Sequence, residues 1–145
     1  MTRPFKIPRS VLVVSHTPAL EVLLIERADK PGYWQSVTGS LDREDEPLEL
    51  TASREVAEET GITGRVLAEL GTIDYWFAAG DKRVHKFVHH YLLEATGGEL
   101  TIDNDPDQEA IDVAWFPLHE VHQHLTFPNE RRIAKVAWER LAGTA

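Results

Sequence analysis

The segment SREVAEETGI (residues 53–62) places Glu55, Glu58 and Glu59 within five positions, just before a glycine. On a helix these residues are related by i, i+3 and i+4, so they share one face. Glu55 and Glu59 then repel each other by roughly 0.2–0.5 kcal/mol. Negative charge in the last turns also opposes the helix dipole, at a cost of about 0.3–1 kcal/mol. A solvated acidic face with an internal Arg54–Glu58 pair is the bland reading. Yet the placement is unfavourable twice over, and local conflicts of this kind mark functional sites. A bound divalent cation would reverse both penalties. With oxygen ligands and no cysteine, that cation should be hard, Mg²⁺ or Mn²⁺. The neighbouring DREDE lacks the ligand spacing and central glycine of an EF-hand.

The elements that must position these groups follow from pattern. RSVLVVSH (9–16) and EVLLIERA (21–28) are short apolar runs joined by the turn TPAL, so they read as paired strands. QSVTGS is a short extended piece ending at Gly39. The spacing predicts a helix from about Pro47 to Thr60, with Pro47 in its first turn and Gly61 as a left-handed C-terminal residue. Glu46 and Glu49 would make a weak capping box. RVLAELGTIDYWF reads as one or two strands, VHKFVHHYLLEAT (84–96) as a long strand before a Gly97–Gly98 turn, and IDVAWFP as another. PLHEVHQHL is a short helix. Asn129 can cap a final helix whose Ile133, Val136, Ala137 and Leu141 lie near one face. The expectation is an α/β fold with a mixed sheet and helices on both faces.

The bulk numbers set bounds. The 145 residues suit one domain, and 42% hydrophobic with 27% charged residues is a globular balance. Without cysteine there are no disulfides and no thiolate chemistry. No apolar run approaches the roughly 20 residues of a bilayer span, and MTRPFKIPRS lacks a secretory-signal pattern. A cytoplasmic protein with no membrane association is therefore expected. The net charge of −9 argues against nucleic-acid binding. An anionic substrate would need a bridging cation or a local basic patch. A homodimer remains open.

GSLDREDEPLELTASREVAEETGI (39–62) resembles the Nudix box. Gly39 leads it, and Arg54, Glu55, Val56, Glu58, Glu59, Gly61 and Ile62 fill its second half. Six residues rather than five separate Gly39 from Glu46; reading Asp45 as the acidic position restores five but leaves eight before Arg54. The extra residue falls in the loop before the helix, where insertions are tolerated. The resemblance covers nearly the whole chain, residues 1–145 as one Nudix domain. It implies an α/β/α sandwich and Mg²⁺-dependent hydrolysis of a pyrophosphate link in a small phosphoanhydride. It also implies that Glu55, Glu58 and Glu59 hold metal with the Gly39 carbonyl, and that Arg54 braces the glutamates. Glu109 is the candidate for a further acid that relatives carry before a late strand, ahead of Asp107 and Asp112.

Substrate contacts are less marked. Arg27, at a strand end before the loop to Gly39, is a candidate for phosphate, as are Lys82, Arg83 and Lys86 for a polyphosphate. Arg27 reads equally as a strand-end surface charge, and a solvated hairpin is the simpler reading of the three hairpin cations. Tyr75, with Trp76 and Phe77, could offer a ring to a base, although a strand with three aromatics is more often core, as are Trp34 and Trp115. His85 and His89 would share one strand face and His90 the other; ordinary strand histidines are the simpler reading.

The first half resembles the dihydroneopterin triphosphate diphosphatases. The second half, DYWFAAGDKRVHKFVHHYLLEA and AWFPLHEVHQHLTFPNERR, resembles the diadenosine and nucleoside polyphosphate hydrolases, with Phe127 and Pro128 where those relatives carry a similar pair. Recognition in this fold lies largely outside the box. The resemblance therefore implies a nucleoside or dinucleoside polyphosphate pyrophosphohydrolase, with the pterin triphosphate enzyme as alternative. A Nudix module that senses a nucleotide without cleaving it is the alternative of another class; loss of a box glutamate would favour it, and none is lost.

Overall fold

The computed structural model describes residues 9–40, 46–105, 108, 110–125 and 128–143. Strand β1 (Arg9–His16) is buried along nearly its whole length, the mark of a central strand covered on both faces. Its ladder runs parallel to β6 (Lys82–Gly98), with Arg9 opposite Phe87 and His16 opposite Glu94. On the other edge it pairs antiparallel with β4 (Val37–Ser40), Val11 facing Gly39. The expected pairing of β1 with β2 (Glu21–Arg27) is antiparallel but meets at His16 opposite Val22. The intervening TPAL segment is a turn, closed by the Leu20 N–H donating to the Thr17 carbonyl at 2.9 Å.

Strand β2 (Glu21–Arg27) carries β3 (Trp34–Gln35) and, antiparallel, β7 (Ala110–Pro117). Strand β5 (Ile62–Ala79) forms a long antiparallel ribbon with β6. Among the described residues this makes one mixed seven-stranded sheet. Gly97 and Gly98 do not form a turn. They continue β6 opposite Thr63 and Ile62, and a Cβ on Gly98 would come within 3.1 Å of the Ile62 Cα. Glycine there permits close backbone approach.

Alternation in β1 divides the core in two. Val11 and Val13 pack with Leu23, Val37 and Leu93 against Ala52 and Val56 of helix α1 (Leu48–Thr60). Leu12 and Val14 pack with Leu24 and Leu92 against Ile133, Ala134 and Ala137 of α3 (Pro128–Gly143), and against Leu118, Val121 and Leu125 of the segment before it. That segment is a 3₁₀ turn, Leu118–Glu120, followed by the short helix α2, Val121–His124. The result is the expected α/β/α sandwich. Ala134, rather than Val136, joins the buried face of α3. Because α3 starts at Pro128, Asn129 lies inside its first turn and is not its cap. Trp34 packs against the α3-side core, meeting Phe116 edge to face at 5.1 Å, and Trp115 packs against the α1-side core.

Helix α1 ends as the sequence predicts. Gly61 is left-handed (φ 78°), and its N–H donates to the Ala57 carbonyl. Its start differs: Pro47 is extended and no side chain caps the helix. Glu46 is engaged elsewhere. No helix among the described residues is long and apolar enough to cross a membrane.

Candidate active site

The packing of α1 explains why two of its glutamates are buried. Ala52 and Val56, both 0% exposed, dock the helix on the sheet. Glu55 and Glu59 follow each of them by three positions, so they turn toward the same side. They are 8% and 3% exposed, whereas Glu58 points outward, its side chain 36% exposed. Strand β4 then brings the Gly39 backbone against Glu55. A Cβ at Gly39 would come within 2.8 Å of Glu55 Oε2 and closer still to its Cγ and Cδ. Only glycine leaves room for that carboxylate.

Arg54 ties the cluster together. Its Nη1 donates to Glu55 Oε1 at 3.3 Å and to Glu58 Oε2 at 3.2 Å. Its Nε and Nη2 donate to Glu46 Oε1, at 3.2 and 3.0 Å. Glu46 also accepts from the Thr51 hydroxyl at 2.6 Å. The hydrogen bond to Glu46, then that to Glu58 and the charges of Glu55 and Glu46, raise the guanidinium pKa above its already high value. Glu46 thus faces Arg54, and its side chain serves that ion pair rather than a capping box.

Glu55, Glu59 and Gly39 line one side of a cleft of about 900 Å³. The facing wall comes from the β5–β6 ribbon, where Tyr75 pairs with Lys86 and Ile73 with Val88. His90 continues that wall. It is 1% exposed, its Nδ1 lies 3.3 Å from the Gly71 carbonyl, and burial pushes its pKa down. Burial likewise lowers His89, on the other face beside Thr72. Arg27 enters from β2, just after a register shift between Glu26 and Arg27 in the β2–β7 ladder. Such irregularities re-aim side chains. Its Nε and Nη2 donate to the two oxygens of Asp29, at 2.8 and 2.5 Å.

Of the basic hairpin residues, Lys86 reaches the cleft. Lys82 and Arg83 lie at the hairpin tip in a separate shallow groove with Trp76 and Phe77, where Arg83 stands 4.5 Å over the Trp76 ring. Trp76 stacks on His85 at 4.1 Å, and His85 Nε2 is 2.6 Å from Asp74 Oδ2. Asp112, exposed on β7, accepts from the Val113 N–H. Glu109 and Phe127, with Asp107, lie outside the described residues.

One residue escaped the sequence reading. Glu130 of α3 is 7% exposed and accepts the Ser36 N–H at 2.9 Å, across 94 positions. Burial raises its pKa from 4.5 to about 7, against the Ser36 hydrogen bond and the charge of Arg27, which lower it. No local spacing signals a contact that distant.

The donor set is all oxygen, and glycine in β4 keeps the Glu55 carboxylate against the strand backbone, so these residues fit a hard divalent cation. As placed, no three acidic or imidazole groups among the described residues stand close enough to share one ion. Arg54 holds Glu55 and Glu58 from one side, while Glu59 lies one turn beyond Glu55.

A model of the NUDIX domain matches residues 6–136, and the chain belongs to the Nudix family. It is 51% identical over 118 residues to a mutator protein MutT4 of Mycobacterium tuberculosis, over 80% of this chain and 46% of that protein. It is 44% identical over 70 residues to the dihydroneopterin triphosphate diphosphatase of Escherichia coli K12, over 48% of this chain and 45% of that one. The chain thus spans less than half the length of these curated relatives. The Nudix domain of Shewanella oneidensis NrtR, crystallised with ADP-ribose, superposes with a TM-score of 0.74 at 26% identity, over 94% of this chain and 89% of that one.

Proposed function

We propose that this chain is a Mg²⁺-dependent pyrophosphohydrolase of nucleoside or dinucleoside polyphosphates. The observation that carries the reading is the pairing of two buried carboxylates, Glu55 and Glu59, beside Gly39 on one side of a cleft that presents Lys86 and Arg27 on its other walls. Glu55, Glu58, Glu59 and the Gly39 carbonyl would hold Mg²⁺, divided among more than one ion rather than all on one, with Mn²⁺ as a substitute. Bound there, it would neutralise phosphate oxygens and lower the pKa of its water.

The chain's own residues supply positioning, the main protein contribution to phosphoryl transfer. Lys86 and Arg27 draw the polyphosphate into the cleft against the protein's net negative charge. Tyr75, 43% exposed, offers a face to the base. Arg54 acts as a positioning residue that fixes Glu55 and Glu58. A cluster carboxylate orients the attacking water, whose oxygen forms the new bond to phosphorus. The anhydride P–O bond breaks with its electron pair going to the departing phosphate, and the water proton leaves through the carboxylate to solvent.

The 44% identity to a dihydroneopterin triphosphate diphosphatase favours a second reading, in which the pterin triphosphate is the substrate. The likeness to a mutator protein, over 80% of this chain, and the basic Lys86 facing Tyr75 support the nucleotide reading. A panel of nucleoside triphosphates, dinucleoside polyphosphates and dihydroneopterin triphosphate, assayed with Mg²⁺ and resolved by product, tests it. Absence of turnover on every nucleotide would reject it.

A further inference from the structure

We propose that Glu130 is a positioning residue, which holds the strand carrying Gly39 in register with the glutamates of α1 by accepting the Ser36 N–H. The inference rests on the hydrolase reading of the cleft, but its structural part can be tested without it.

Ser36 is the hinge between β3, ending at Gln35, and β4, beginning at Val37. Gln35, Thr38 and Gly39, one to three residues away from it, all line the cleft. Ser36 is itself 3% exposed. A buried backbone N–H without a partner is costly, and here the partner comes from α3. Glu130 is 7% exposed and its Oε1 lies 2.9 Å from that nitrogen.

The contact matters because of what hangs on it. Gly39 approaches Glu55 so closely that a single added methyl would overlap the carboxylate. A shift of β4 by a fraction of an ångström would therefore displace a proposed cation ligand and the carboxylate beside it. Displacements of about 1 Å at a reacting centre cost on the order of 10²-fold in rate. Helix α3 is anchored independently, with Ile133, Ala134 and Ala137 in the core, so it provides a fixed point from which Glu130 can reach. The role needs an acceptor oxygen rather than a charge. A glutamine supplies one in nearly the same place.

The test compares Glu130→Gln and Glu130→Ala in the full chain. Amide hydrogen exchange at Ser36 is read first, without metal or substrate and well below the melting temperature. Glu130→Ala should lose at least about tenfold in Ser36 protection, and Glu130→Gln should keep it. With Mg²⁺ and the best nucleotide of the panel, Glu130→Ala should lose about 10- to 100-fold in kcat, and Glu130→Gln should stay within about threefold of the wild type. Unchanged Ser36 protection and kcat in Glu130→Ala would overturn the proposal. A glutamine variant as impaired as the alanine one would also overturn it, since charge rather than the acceptor would then matter. A wild-type protein inactive on the whole panel would defeat the hydrolase reading instead, and Ser36 exchange would still decide whether Glu130 holds β4.

Discussion

Arg54 and Glu46 face each other across the start of α1, with Arg54 Nη2 donating to Glu46 Oε1 at 3.0 Å and the Glu46 side chain 6% exposed. Breaking such a pair strands a buried charge. Arg54→Ala should destabilise the fold by about 3 kcal/mol, measured by denaturant unfolding. The double variant with Glu46→Ala should recover part of that loss, because the stranded carboxylate is gone. In activity, Arg54→Ala should weaken apparent Mg²⁺ affinity and leave the substrate Michaelis constant unchanged at saturating Mg²⁺. A raised Michaelis constant with normal metal affinity would place Arg54 on the substrate instead.

The glutamate cluster predicts a metal requirement. EDTA should abolish turnover, and Glu58→Gln and Glu59→Gln should each lose most of it while staying folded. Saturating Mg²⁺, at about 100 times its dissociation constant, should stabilise the native state by about 2.7 kcal/mol. An unchanged melting temperature at that concentration would contradict cation binding at the cluster.

Gly39 offers a steric test. Gly39→Ala adds a methyl that must displace the Glu55 side chain. Overpacking of this kind costs about 1–3 kcal/mol, and kcat should fall at least about tenfold because a proposed ligand moves. Near-wild-type kcat and Mg²⁺ affinity in Gly39→Ala would show that the close approach has no functional role.

Much of this was legible in the residues themselves. The i, i+3, i+4 spacing of Glu55, Glu58 and Glu59 placed them on one helix, and Gly61 marked its end, because both are local signals. The mixed sheet with helices on two faces followed from the order of apolar runs. What stayed hidden depends on distant pairing. Whether β1 ladders with β2 or with β4 and β6 is not encoded in its own run of Val and Leu. The hairpin charges looked alike, but position along β6 decides their roles: Lys86, opposite Tyr75, lies far enough from the turn to line the cleft, whereas Lys82 and Arg83 stay at the tip. Glu46 meets Arg54 only once α1 has brought together residues eight positions apart, and Glu130 needed a partner from β3–β4.

Glu130 also predicts a pH dependence of stability. Its carboxyl titrates near 7 in the folded chain, against an ordinary value of 4.5. A raised folded-state value means that the stabilisation is fully present below the ordinary pKa and is lost as pH rises through about 7. The loss is on the order of 3 kcal/mol. Glu130→Gln cannot ionise, so its stability relative to the wild type should rise between pH 4.5 and 7 and level off above. Parallel stability curves for the two proteins over that range would refute this.

Specificity turns on Lys86. Lys86→Ala should raise the Michaelis constant more for longer phosphate chains, since each phosphate brings more charge to one cation. Lys82→Ala and Arg83→Ala, at the hairpin tip, should have the smaller effect. Equal effects of all three would mean that the whole hairpin acts only through long-range attraction.

The most direct measurement is catalytic efficiency on a nucleoside triphosphate, a dinucleoside polyphosphate and dihydroneopterin triphosphate, side by side at one Mg²⁺ concentration, with an EDTA control. The account predicts Mg²⁺-dependent cleavage of a pyrophosphate link, with kcat/KM higher for a nucleotide than for the pterin. Higher kcat/KM for dihydroneopterin triphosphate, or undiminished turnover in EDTA, would contradict it.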